Sequence, residues 1–226
     1  MSLNLPTSAY LTGAVNWSLP NGDWCFATLV RIDDNAGSQS QCFISAGPTQ
    51  SVLEFNLVVL EDGRAATPGC PVMRVADGAN FVIITSTERL PLGQWVLLIG
   101  QRASGEKQIW FSAFGSSPAK KASSSATVGA CAFGTPLMIG RRYLNAIADT
   151  NVLGRMAYVA YGAFSLGKVE VAHLETIVRR LPFDGEGAVG GTEVARSEKR
   201  VSGRGNGNVT RQVIAWSKLM RHHRAK

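Results

Sequence analysis

The stretch Leu90–Phe114, LPLGQWVLLIGQRASGEKQIWFSAF, constrains the fold more than any other part of the chain. It opens on a turn at Leu90-Pro91-Leu92-Gly93 and runs almost wholly apolar from Gln94 to Gln101. It then breaks at the polar tip Arg102–Lys107 and resumes from Gln108 to Phe114. Two apolar runs around a short tip containing Ser104 and Gly105 predict a β-hairpin. In the first run Trp95, Leu97 and Ile99 share one face, and Val96 and Leu98 share the other. A strand that is apolar on both faces has to be covered on both sides, so the hairpin belongs in the middle of a packed pair of layers. In the second run Ile109 and Phe111 share one face, and Gln108, Trp110 and Ser112 the other.

The flanking sequence supplies the remaining strands. Asp23–Ile32 alternates, with Cys25, Ala27 and Leu29 on one face and Trp24, Phe26, Thr28 and Val30 on the other. Gln41–Ala46, Val52–Leu60, Met73–Val75, Phe81–Thr85 and Leu153–Phe164 read as further strands, with a short one in Val128–Phe133. Asn21-Gly22-Asp23 and Glu61-Asp62-Gly63 are turn signals. Ser116–Thr127, SSPAKKASSSAT, is small, polar and Pro-containing, the composition of an exposed loop. From Lys168 to Leu181 the spacing turns helical, with Leu174, Ile177, Val178 and Leu181 on one stripe and Pro182 as the stop. At 226 residues, with 24 glycines and 17% charged residues, the chain suits one large β domain and an appendage.

Four segments, in order, resemble the laminin G-like, concanavalin A-like jelly rolls. Gly93-Gln94-Trp95 matches the Gly-x-Trp before that family's central hairpin. Pro136–Arg141 resembles its apolar-Ile-Gly-Arg strand, and Gly154–Tyr161 its closing strand. Leu166 with Glu170–Leu174 resembles the short helix that follows. The resemblance spans Tyr10 to Leu181 and implies an antiparallel β-sandwich with a short helix near 168–181. It carries little about function, because such folds host many activities.

The charge is unevenly placed. From Thr192 onward nine basic residues (Arg196, Lys199, Arg200, Arg204, Arg211, Lys218, Arg221, Arg224, Lys226) stand against Glu193 and Glu198, which accounts for the whole net charge of +7. Residues 1–191 then sum to zero, and the sequence divides into a sandwich (1–183), a Gly-rich linker or extended arm (184–208) and a basic amphipathic helix (209–226). Asn208 caps that helix, and Val209, Val213, Trp216 and Met220 form its apolar stripe. Such an arm suits docking on a neighbouring chain through Arg211, Val213, Trp216, Met220 and Arg221. Contact with nucleic acid phosphates, rest on an anionic membrane surface, or folding back on the sandwich are the alternatives. No apolar run approaches the ~20 residues of a membrane helix. Met1–Pro6 has no basic segment leading into an apolar core, so no secretory signal is expected.

Catalytic chemistry is thinly represented. Retaining glycosidases need two carboxylates about 5 Å apart, and no strand here offers the paired spacing: Glu54 stands alone, and Asp33-Asp34 and Glu61-Asp62 sit in loops. His173 falls on the helix, and His222 and His223 in the tail. Cys25, Cys42, Cys70 and Cys131 lack metal-ligand spacing and are expected as free thiols. No cofactor is expected. The resemblance makes calcium the one ion to consider, through Asp33, Asp34, Asp77 or Asp149 at the rim. A sugar platform needs an exposed aromatic, for which Trp17, Trp110, Tyr143 and Tyr161 are candidates, with Trp110 and Tyr161 foremost.

These observations converge on a non-enzymatic module with a docking arm. The combination resembles the laminin G-like proteins that tailed bacteriophages carry on their virions as head decoration or tail components. It implies an accessory virion protein, made in the host cytoplasm. Its arm would grip other virion proteins or copies of itself, and its outward sandwich would face host glycans. A soluble carbohydrate-binding lectin is the alternative, and a glycoside hydrolase a more distant one.

Overall fold

The computed structural model describes residues 3–4, 11–12, 17–34, 40–47, 53–59, 68–113, 115–140, 152 and 154–178. The linker and terminal helix expected at 184–226, and with them Arg211, Val213, Trp216, Met220 and Arg221, lie outside the described residues, as do Tyr143 and Asp149.

Fourteen strands and one helix are described. They are β1 (Leu3–Asn4), β2 (Leu11–Thr12), β3 (Ser18–Leu19), β4 (Trp24–Ile32), β5 (Gln41–Ala46), β6 (Leu53–Val59), β7 (Pro71–Asp77) and β8 (Phe81–Thr85). There follow β9 (Trp95–Ala103), β10 (Glu106–Ala113), β11 (Ala119–Ser124), β12 (Cys131–Ala132), β13 (Met138–Ile139), β14 (Gly154–Gly162) and α1 (Lys168–Val178). Two six-stranded sheets form. Sheet A has the order β1-β14-β4-β9-β10-β11 and sheet B the order β2-β13-β5-β6-β7-β8, with β12 and β3 as a separate pair. Every strand pairing is antiparallel.

The hairpin β9–β10 sits near the centre of sheet A, where its composition places it. Its turn is tighter than the polar tip suggests: the strands pair through Ala103 and Glu106, leaving only Ser104 and Gly105 between them. Both turn residues have positive φ, 50° and 87°, as a type I′ hairpin turn requires. Asp23 steadies this turn, since its Oδ1 accepts the Ser104 N–H at 2.8 Å and its Oδ2 the Ser165 hydroxyl at 2.7 Å.

The two faces of β9 are both buried. Val96 and Leu98 join Trp24, Phe26, Val30, Phe55, Leu57, Met73, Ile109 and Phe111 in the core between the sheets. Leu97 and Ile99 join Cys25, Ala27, Leu29 and Trp110 on the outer side, where Leu166, Val171, Leu174 and Val178 of the helical segment cover them. The helix stripe is therefore Val171, Leu174 and Val178. Ile177 lies partly exposed at its margin, and Leu181 is outside the described residues.

Two places break the expected pattern. Ser116–Thr127 is not wholly a loop, because Ala119–Ser124 pairs with β10 as the edge strand of sheet A. An edge strand with a solvent face needs few apolar residues, so hydrophobic alternation does not mark it. In β14 a bulge between Met156 and Tyr158 inserts Ala157. Met156 faces the inter-sheet core, whereas Tyr158 and Ala160 face the helix, a switch that strict alternation forbids without the extra residue. No helix among the described residues is long and apolar enough to cross a membrane.

One polar group fastens the helix side. Gln101 is fully buried; its amide donates to the Leu166 carbonyl at 2.9 Å and to Gln108 Oε1 at 2.9 Å, and its Oε1 accepts the Leu166 N–H at 2.8 Å. Removing that side chain would orphan several buried groups, at about 1–3 kcal/mol each. Gln101→Ala is expected to lower the unfolding free energy in urea by about 3 kcal/mol; a loss below about 1 kcal/mol would contradict the role given to this residue.

Candidate functional site

Three of the aromatic residues that the sequence offers as sugar platforms, Trp17, Trp110 and Tyr161, are committed elsewhere. Trp110 is 9% exposed, on the face of sheet A that α1 covers, and its indole N–H donates to Gln108 Oε1 at 2.8 Å. Tyr161 is half-buried, its ring 4.9 Å from Phe26 and 5.5 Å from Trp17. Burial, and then the neighbouring Cys25, raise its phenol above the ordinary range. Trp17 itself stacks on Phe133 at 5.4 Å and meets Phe26 and Phe55. The expectation of a platform at Trp110 is therefore corrected: alternation places its ring on the outer face of sheet A, and the helix occupies that face. Tyr161 belongs to the aromatic cluster that ends the inter-sheet core.

The other outer face belongs to sheet B, and the one described helix does not lie on it. Phe55, Leu57, Met73, Val75, Val82 and Ile84 point into the core, so their strand neighbours point outward. The register lines up Ile83 of β8, Arg74 of β7, Asn56 of β6 and Ser45 of β5 in one row across the sheet, and Phe81 opposite Ala76 in the next. Phe81 is 61% exposed and Ile83 50% exposed, an unusual showing for large apolar side chains on a strand. Ala76 is small, which leaves room for Arg74 to lean across it. The Arg74 guanidinium lies 5.8 Å from the Phe81 ring centroid, within cation–π range. An exposed ring and a cation thus share the edge of this face, while Asn56 and Ser45, in the same row, are buried. Sequence pattern missed this group because FVIIT is apolar at every second position on both faces. Such a strand reads as covered on both sides, and nothing local marks it as the last strand of its sheet.

The acidic residues do structural work. Asp77 Oδ1 accepts the N–H groups of Ala79 and Asn80 at 2.9 and 2.7 Å, and Oδ2 those of Gly129 and the Asn80 amide at 2.5 and 3.4 Å. These bonds, Gly129's foremost, hold its carboxyl well below the usual range. Four donors leave little of Asp77 for a calcium ion. Asp33 bridges to Arg31 at 2.7 Å. Among the described residues no group of three His, Cys, Asp or Glu side chains is placed to hold a metal. Glu106 is also held below its ordinary range, by Ser123 and Gln108 before Lys120. Asp77 and Glu106 thus shift downward, opposite to what a general acid needs. The four thiols are free and buried, and desolvation pushes Cys25 and Cys131 up to about 12, away from nucleophilic reactivity. His173 is exposed on α1.

No protein-family model matches the chain, and no curated protein matches its sequence. Solved structures match its fold. The chain is similar to the CBM40 module of the Ruminococcus gnavus sialidase, solved bound to α2,3-sialyllactose, with 10% identity over 75% of this chain and 100% of that one, at a TM-score of 0.53. The fold is the laminin G-like, concanavalin A-like jelly roll. The jelly roll also appears in a SAP-like pentraxin of Limulus polyphemus, with 10% identity, 74% of each chain covered and a TM-score of 0.50. It appears again in tailspike protein 2 of an Escherichia coli O157:H7 bacteriophage, with 13% identity over 77% of this chain and a TM-score of 0.52. The chain spans 26% of that tailspike's length, so the likeness concerns one part of it.

The Asp77 bonds carry a pH signature. A carboxyl whose folded pKa is depressed stabilises the fold fully above its unfolded value near 3.8, and the contribution is lost as pH falls through the folded value. Replacing it by Asp77→Asn is expected to lower stability at neutral pH. The gap between wild type and variant should then shrink as pH is lowered from about 5 to about 2, as read by chemical unfolding. A gap that is constant across that range would contradict the assignment.

Proposed function

We propose that this chain is a non-enzymatic glycan-binding module whose sugar sits on the outer face of sheet B. The observation that carries this reading is the Phe81 ring, 61% exposed beside the Arg74 guanidinium. Sugars present apolar C–H faces and polar edges. A flat ring such as that of Phe81 suits the first, and a polar group beside it such as the Arg74 guanidinium suits the second. Arginine is the residue best shaped for a carboxylate, so an acidic sugar is the favoured class. The sialyllactose bound by a module of the same fold supports that choice. The reading invokes no cofactor and no active site.

The experiment is isothermal titration of the full chain with α2,3-sialyllactose and with neutral lactose. Phe81→Ala is expected to weaken binding of the acidic sugar at least tenfold, about 1.4 kcal/mol, with the fold intact by circular dichroism. Trp110→Phe should leave affinity unchanged. Absence of binding across a glycan array, or full affinity in Phe81→Ala, would contradict this site.

A second reading concerns where such a module works. The excess charge of +7 is confined to the residues from Thr192 onward, as suits an arm that anchors a neutral body. A jelly roll of this kind also occurs within a bacteriophage tailspike. We therefore also propose a virion component held by its C-terminal arm to other virion proteins or to copies of itself, with its sandwich outward. Nucleic acid phosphates are the competing partner for the arm. The intact chain should copurify with particles, and deletion of residues 192–226 should abolish this; normal incorporation of the deleted chain would remove the arm from the mechanism.

A further inference from the structure

β8 ends sheet B: among the described residues it pairs with β7 on one side and with no strand on the other. Its free side can be read from the hydrogen bonds at its two ends. The Asp77 N–H donates to the Asn80 carbonyl at 3.1 Å, and the Ser86 N–H donates to the Pro71 carbonyl at 2.9 Å. Antiparallel ladders alternate between bonded and non-bonded pairs. With Met73 opposite Ile84 and Val75 opposite Val82, those are the bonded pairs in between. The N–H and C=O groups of Phe81, Ile83 and Thr85 therefore point away from β7, toward the open edge.

Natural edges are usually protected by lysine, proline, a bulge or a cover. β11, the edge of sheet A, follows that rule, with Lys120 bonded to Glu106 at 3.3 Å and Lys121 to Glu88 at 2.6 Å. Among the described residues β8 has none of these devices. Its five residues, FVIIT, carry no charge, no proline and no glycine, and its pairing with β7 is regular throughout. Phe81 and Ile83, whose backbone groups face the edge, are also the exposed apolar side chains.

We infer that β8 is a homodimerisation strand, pairing antiparallel with β8 of a second copy about a two-fold axis through Ile83. The strand is its own complement. With Ile83 opposite Ile83, Phe81 falls opposite Thr85 at both ends, and the three outward residues of each copy exchange about six hydrogen bonds. Both Ile83 side chains then pack side by side on the outer face, each with the other copy's Phe81 diagonally across. The uncharged strand brings no like charges together. Arg74 and its counterpart stand three strand spacings apart, about 14 Å, beyond the screening length of about 8 Å at physiological ionic strength. The product is a continuous twelve-stranded sheet from two sheets of six. The inference does not depend on any ligand.

Sedimentation equilibrium of the full chain tests it. The wild type is expected at twice the chain mass. Ile83→Lys, on a half-exposed side chain, is expected to weaken dimerisation at least tenfold while circular dichroism and the thermal midpoint stay unchanged. Cysteine scanning fixes the register. Position 83 meets its counterpart at a Cα separation of about 5.5 Å, within disulfide reach. Position 81 stands about 14 Å from its own counterpart along the pair. Under mild oxidation Ile83→Cys should therefore yield a covalent dimer and Phe81→Cys should not. A monomeric wild type, a dimer that survives Ile83→Lys, or equal cross-linking from both positions would overturn the inference.

Discussion

The structure depends on covering both faces of the β9–β10 hairpin. One sheet can bury only one side of it. The residues on the other side, Leu97, Ile99 and Trp110, oblige the chain to bring a second layer, and α1 supplies it. Burying large apolar and aromatic side chains stabilises by about 1.5–3 kcal/mol each, so a hairpin apolar on both sides is costly to leave half covered. The helix is placed by polar contacts. Gln101 clasps the Leu166 backbone, Asp23 clasps Ser165, and the buried Glu175 accepts the Gly115 N–H at 2.9 Å. Apolar burial drives the docking, and these bonds set where it stops.

This arrangement bears on the recognition surface proposed above. A helix on sheet A buries Trp110, whereas Phe81 and Ile83 stay exposed beside Arg74 at the β8 edge of sheet B. The same face meets the edge of β8, so a second copy would bring its own Phe81 and Arg74 onto one continuous outer face. Two modest sites on one rigid body gain by effective concentration when the ligand is multivalent. Glycan coats present many copies of the same sugar, which suits that geometry.

Much of the body was legible because its signals are strong where packing demands are strict. The two-faced apolar run at Val96–Ile99, the alternation of Trp24–Ile32 and the helical stripe of Leu174 and Val178 all report sustained burial. Legibility failed where packing asks little of the side chain. Ala119–Ser124 is an edge strand built from Ala, Lys and Ser, indistinguishable by composition from a loop. The β14 bulge at Ala157 is a backbone event with no residue signature. The exposure of the aromatic residues was misread for a related reason. Trp110 and Phe81 both stand on strands with apolar residues on each face, and only strand order says that one lies beneath a helix and the other beside an edge. Strand order is a long-range property, set by which surfaces meet, and residue pattern carries it weakly. The fold family was recoverable because Gly93-Gln94-Trp95 and the later segments occur in sequence. The charge excess of the C-terminal arm was equally plain, though its residues fall outside those described.

The central claim is that recognition belongs to the outer face of sheet B, because the helix has taken the outer face of sheet A. Hydrogen–deuterium exchange of the full chain, with and without α2,3-sialyllactose, tests it most directly. The account predicts slower exchange in peptides spanning Pro71–Thr85 and no change over Glu106–Ala113 or Lys168–Val178. Protection confined to the β10 and α1 peptides would contradict it.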